Sequence, residues 1–115
     1  MLASHLTLVM VVTGLLLIGL ALPLANRQVP PNRWYGIRLR STLADEQIWY
    51  AVNEQCGRDM LVLGTTVLIL TLSALMALPG WRPEWRALLV APVLVGGLMA
   101  ITSRASRHAA QLGRD

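Results

Sequence analysis

The sequence predicts an all-α membrane protein: three transmembrane helices, with a short amphipathic interfacial helix in the first loop. Three charge-free runs and one charge-dense insert lead to this reading. Residues 1–25 carry no Asp, Glu, Lys or Arg, residues 60–78 form a second such run, and residues 87–103 form a third. Between the first two, residues 26–59 hold nine of the chain's sixteen charged side chains. A hydrophobic content of 55% with 14% charged residues departs from the soluble balance of about 45–50% apolar and about 25% charged. The chain therefore reads as one membrane domain over residues 1–115, with spans at about 5–25, 60–78 and 87–103 and a motif loop at 26–59.

A hydrocarbon core of about 30 Å takes roughly 20 apolar residues of helix, with a range of about 17–25. Backbone polar groups find no water there, so each run is expected to be helical. The first run has no Lys or Arg ahead of it, and Pro23 stands at the −3 place for a cut after Ala25. A cleaved signal peptide needs a positive start and a small-x-small site, so a retained span is expected instead. The third run is short and holds Pro92. Charge supports it where length does not.

Three spans would place Arg27, Arg33, Arg38, Arg40 and Arg58 of the first loop on the same side as Arg104, Arg107 and Arg114 of the tail. Only Arg82 and Arg86 fall on the other side. The positive-inside rule then predicts an inner (plasma) membrane protein with its N-terminus outside and its Arg-rich loop and C-terminus in the cytoplasm. Trp34, Tyr35, Trp49 and Tyr50 flank the inner ends of the spans, and Trp81 and Trp85 the outer turn, as interfacial aromatics do. Gly14, Gly19, Gly64, Gly96 and Gly97 are small residues suited to close packing, and Gly96-x-x-x-Ala100 fits the small-xxx-small pattern. They predict that the helices pack together or onto a second copy.

Within the loop, Pro30-Pro31-Asn32 is expected to stop the first helix. Ile37-Arg38-Leu39-Arg40 alternates apolar and basic residues, which suits an extended strip on the membrane face with Ile37 and Leu39 down. Thr42 is expected to cap a helix whose first turn holds Asp45 and Glu46. From Leu43 to Cys56, Ile48, Trp49, Val52 and Cys56 share a stripe, while Glu46, Tyr50, Asn53 and Glu54 lie largely elsewhere on the wheel. This amphipathic helix would lie in the interface and lead into the second span through Gly57-Arg58-Asp59.

Catalysis finds little in these residues. His5 and His108 stand near opposite termini, no His/Cys/carboxylate cluster has metal-ligand spacing, and no Ser has an evident base. Thr65, Thr66, Thr71 and Ser73 could line a polar seam, though such hydroxyls more often bond back to their own helix. The single cysteine, Cys56, excludes an internal disulfide. The expectation is a non-enzymatic protein with no cofactor. Nucleic acid is not an expected partner, because no groove-reading or base-stacking motif accompanies the charge.

Asn32, Gly36-x-Arg38, Thr42, Trp49, Asn53 and Gly57-Arg58 together resemble the SdpI-like family, small bacterial membrane proteins named for an immunity protein against a secreted killing peptide. The resemblance rests on a motif N-x-x-x-G-x-R-x-x-x-T, followed by an acidic helix start, a Trp and a polar residue before Gly. The family often has Thr-Pro after the Arg, where this chain has Leu39-Arg40, and its longer members carry a second membrane half. The resemblance implies peptide-toxin immunity or membrane signalling, with a peptide toxin or a cytoplasmic regulator as partner; the charge-free runs add the bilayer and the small helix residues a second copy of the chain. The motif residues Asn32, Gly36, Arg38, Thr42, Trp49, Asn53 and Arg58 would then bind a ligand or partner, or else brace the loop on the helix ends. An accessory subunit of a membrane complex and a small oligomeric pore are the competing classes.

Overall fold

In the computed structural model the chain forms four helices: α1 (Leu2–Ala25), α2 (Arg40–Ala44), α3 (Glu46–Ala77) and α4 (Pro83–Gly113). The structure describes residues 2–113 apart from Arg33, Pro79 and Trp81. The expectations placed on Arg33, Trp81 and Arg114 fall outside the described residues. The all-α class stands as the sequence predicts, and three helices are long and apolar enough to cross a membrane. They run up, down and up in a bundle measuring 54 × 22 × 19 Å.

α1 ends sooner than the prolines require. The amide of Gln28 donates to Pro23 O at 2.9 Å and that of Arg27 to Leu24 O at 3.2 Å, while Arg27 adopts a left-handed φ of 57°. This is a Schellman closure, which satisfies the last carbonyls of a helix. Pro30-Pro31 then lies beyond the stop rather than causing it.

α3 is one continuous helix of 32 residues, about 48 Å long at 1.5 Å per residue. The segment expected as a separate interfacial helix is its first third, collinear with the span. Gly57 does not act as a hinge; it brings α3 against α1. A Cβ there would lie 2.5 Å from Ala25 N and 2.9 Å from Ala21 O. Two turns further on, a Cβ on Gly64 would lie 2.9 Å from Gly14 O. Such contacts let two backbones meet where lipid supplies no hydrophobic drive for association. Gly19 and Gly96 face open space, so Gly96 of the Gly96-x-x-x-Ala100 pattern brings no described helix close.

α4 passes through Pro92 without ending and continues to Gly113, ten residues beyond the charge-free run. A buried row explains the extension: Ile101, Ala105 and Ala109 stay covered at four-residue steps, with Ala105 and Ala109 packing beside Val52. A second cluster joins Cys56, Leu63, Val67, Val90 and Ile101. The large apolar side chains left exposed, among them Leu8, Leu16, Val62, Ile69, Leu88 and Met99, face outward, where lipid rather than water would meet them. Thr66 and Thr71 donate to Val62 O and Val67 O of their own helix, each at 2.7 Å.

Candidate functional site: the clamped loop

The loop between α1 and α3 folds back over the bundle end where α1 and α4 finish and α3 begins. Asn32 organises its first turn. Its Oδ1 accepts from the amides of Trp34 (2.8 Å) and Tyr35 (2.7 Å), and its Nδ2 donates to Pro30 O (2.8 Å) and Tyr35 O (3.1 Å). Both donor hydrogens and both lone pairs of the amide are thus engaged.

Gly36 follows at a φ of 113°, a region open to glycine and strained for other residues. A Cβ here would sit 2.8 Å from Asn53 Oδ1 and 3.1 Å from the Trp49 ring, so backbone geometry and space both call for glycine. Beyond it, the amide of Ile37 donates to Asn53 Oδ1 at 2.5 Å, and Asn53 Nδ2 donates to Trp49 O at 2.9 Å. Asn53 is 2% exposed, which corrects its expected place away from the apolar stripe. It lies next to Val52 and one turn after Trp49, so its amide meets the loop backbone inside the core.

Trp49 is fully buried, and its indole Nε1 donates to Val29 O at 2.7 Å. It is therefore a loop anchor rather than a headgroup aromatic; among the described tryptophans Trp34 and Trp85 are exposed. Thr42 is also fully buried. Its hydroxyl accepts from the amide of Leu39 at 2.7 Å and lies 2.9 Å from Ile37 O and 3.0 Å from Leu39 O as acceptors. The expected cap at Thr42 is displaced: Asp45 caps α3, accepting from the amides of Gln47 (2.8 Å) and Ile48 (3.4 Å). The extended backbone at Asp45 separates α2 from α3 and leaves Thr42 to close the short helix from within.

The alternation of residues 37–40 is present with a different floor. Ile37 and Leu39 pack on the bundle core beside Val52, while Arg38 and Arg40 are exposed. Arg38 has no hydrogen bond or ion pair to any described residue. Arg58 pairs with Glu54 at 2.5 Å, and Arg27 reaches the other oxygen of the same carboxylate at 2.5 Å, which ties the left-handed end of α1 to α3. Burial pushes the Tyr35 phenol above its ordinary range, and its hydroxyl has no partner among the described residues.

The structure thus gathers Gly36, Thr42, Trp49 and Asn53 around the Ile37 peptide, with Asn32 one turn away, and leaves Arg38 and Arg58 on the outside. A polar chain on the neighbouring seam was not foreseen. Arg104 Nη1 donates to Asp59 Oδ1 at 3.2 Å. With the Gln55 amide turned as its neighbours dictate, its oxygen accepts from Arg104 Nε at 2.5 Å and its nitrogen donates to His108 Nδ1. The spacing of Arg104, His108 and Gln111 was the available signal, obscured once the third helix was expected to end at Ser103.

Fold and loop together define a class: a three-helix membrane protein whose first connection is locked to the bundle end by buried polar side chains. The sequence model of the SdpI/YfhL protein family matches residues 28–103, the loop, α3 and most of α4, and the chain belongs to that family. No curated protein and no solved structure matches it.

Proposed function

We propose that this family member is a non-enzymatic binding protein of the bacterial inner membrane, acting in peptide-toxin immunity or membrane signalling by engaging a peptide or a cytoplasmic partner with its Arg-rich loop. One observation carries the reading. The polar groups of Asn32, Thr42, Trp49 and Asn53 are spent inside the loop, while Arg38 is exposed and free of described partners. Five donors in a planar fork on a rigid support suit a carboxylate or a row of carbonyls. In this reading the bracing residues position, and Arg38 contacts the partner.

Arg38→Ala is expected to abolish protection against the peptide, or capture of the partner, while leaving membrane insertion and thermal stability unchanged. Arg38→Lys should recover only part, because an ammonium lacks the fork. Full protection by a stably inserted Arg38→Ala protein would overturn the reading.

The proposed orientation is N-terminus outside and C-terminus cytoplasmic. It is favoured by the shared end occupied by Arg27, Arg38, Arg40, Arg58, Arg104 and Arg107, opposite Arg82 and Arg86. An alkaline phosphatase fused after α4 should be inactive, and one inserted in the α3–α4 turn should be active; the reverse pattern would invert the topology.

A further inference from the structure

The seam between α3 and α4 holds two adjoining hollows that the loop does not use. At the Arg-rich end lies a cleft of about 260 Å³ lined by Gln55, Arg104, Arg107, His108 and Gln111. Among the described residues no acidic side chain lines it. Adjoining it, a mainly apolar groove of about 410 Å³ runs between the same helices past Val62, Leu63, Val93, Gly97 and Ala100, with Asp59, paired to Arg104, at its polar end. Arg104 lines both hollows, so they form one site with a cationic head and an apolar tail.

We propose that this seam binds one anionic glycerophospholipid, its phosphate in the cleft and an acyl chain in the groove. Depth fits the assignment. The charge-free run of α4 stops at Ser103, which brings Arg104 and Arg107 to headgroup level. From Val93 to Arg104 the groove follows twelve residues of α4, a rise of about 16 Å, close to the half-thickness of a hydrocarbon core of about 30 Å.

Chemistry fits as well. Arg104 is held in place by Asp59 and Gln55 with N–H donors left over. Arg107 has no described partner and contributes an uncompensated positive charge. Gln55 donating to His108 Nδ1 leaves the imidazole Nε2 as the position for an N–H donor. Basic pockets between membrane helices on the cytoplasmic side are suited to anionic headgroups. A second copy of this chain fits less well, since a parallel neighbour would bring its own Arg107 to the same level. The site is independent of the loop reading, because Arg38 lies outside it.

The test uses the full chain in a non-ionic detergent, titrated with dioleoyl phosphatidylglycerol or dioleoyl phosphatidylcholine and read by native mass spectrometry. One phosphatidylglycerol per chain is expected, bound about tenfold more tightly than phosphatidylcholine, whose headgroup carries no net charge. Arg107→Gln should remove that preference while leaving phosphatidylcholine binding unchanged. Ala100→Phe, filling the groove from an exposed position, should weaken both lipids about tenfold. Circular dichroism should show both variants folded.

Equal binding of the two lipids would overturn the proposal, as would phosphatidylglycerol binding that ignores Arg107→Gln. Competition by inorganic phosphate with no effect of Ala100→Phe would reduce the seam to a headgroup-only anion site and overturn it. An Ala100→Cys protein that cross-links quantitatively to itself would assign the groove to a second copy.

Discussion

Trp49→Ala should release the loop from the bundle end. Removing a fully buried indole from a core costs about 3–5 kcal/mol, and here the Val29 carbonyl also loses its donor. Arg38 and Arg40 lie in the released segment, so trypsin in mild detergent reads the opening directly. Local opening tracks this free energy, and cleavage at these two sites should accelerate on the order of several hundredfold. Trp49→Phe keeps most of the packing and loses the hydrogen bond, worth about 1 kcal/mol, so its cleavage should rise only several-fold. Equal cleavage of the Ala and wild-type chains would mean that the ring does not hold the loop.

Gly57→Ala should be the most disruptive single methyl in the molecule. The new Cβ would meet backbone atoms of α1 at 2.5 and 2.9 Å, and backbone in a packed helix cannot rotate aside as a side chain can. Overpacking of this kind costs about 1–3 kcal/mol, and the collision with backbone puts Gly57→Ala at the upper end. Gly64→Ala should cost less, because its nearest backbone atom, Gly14 O, stands at 2.9 Å rather than 2.5 Å and its other near contacts are side-chain atoms of Ile18 and Leu17. Gly19→Ala and Gly96→Ala meet nothing within 4 Å and should be neutral or mildly stabilising, since Ala outranks Gly in a helix by about 1 kcal/mol. Unfolding by SDS titration measures the order: Gly57 below Gly64, and both below Gly19 and Gly96. A destabilised Gly96→Ala would instead reveal an interface beyond the single chain.

The spans were legible because a stretch without charge admits few other readings. Their ends were less so. Arg104, Arg107 and His108 made α4 look finished at Ser103, while Ile101, Ala105 and Ala109 carried a buried row onward beneath the polar surface. Gly57-Arg58-Asp59 read as the passage from an interfacial helix into a separate span for a similar reason. A glycine in mid-helix is costly in isolation, and only the backbone of α1 lying against it gives that residue its purpose.

The motif residues of the loop were recognisable by type and spacing, whereas their partners were not. Asn53 looked like a surface amide because its polarity was judged without the Ile37 peptide that it satisfies. Thr42 looked like a helix cap because hydroxyls often serve that purpose, yet Asp45 reaches two free amides and takes that place. Residue type marked these side chains as ones that could brace the loop; the tertiary fold decided which were buried and which backbone groups they met.

The continuity of α3 has a mechanical consequence. One rod begins under the loop, passes both crossing points with α1, and ends at the opposite face of the bundle. From Gly57 to its far end it runs about 30 Å, so a tilt of about 5° about that crossing would move its tip by about 3 Å. Trp49 and Asn53 fasten the loop to the first turns of this rod, so a force applied at Arg38 is borne by a lever rather than absorbed by a tether. Gly57 and Gly64, where the rod rests against α1, are its fulcrum.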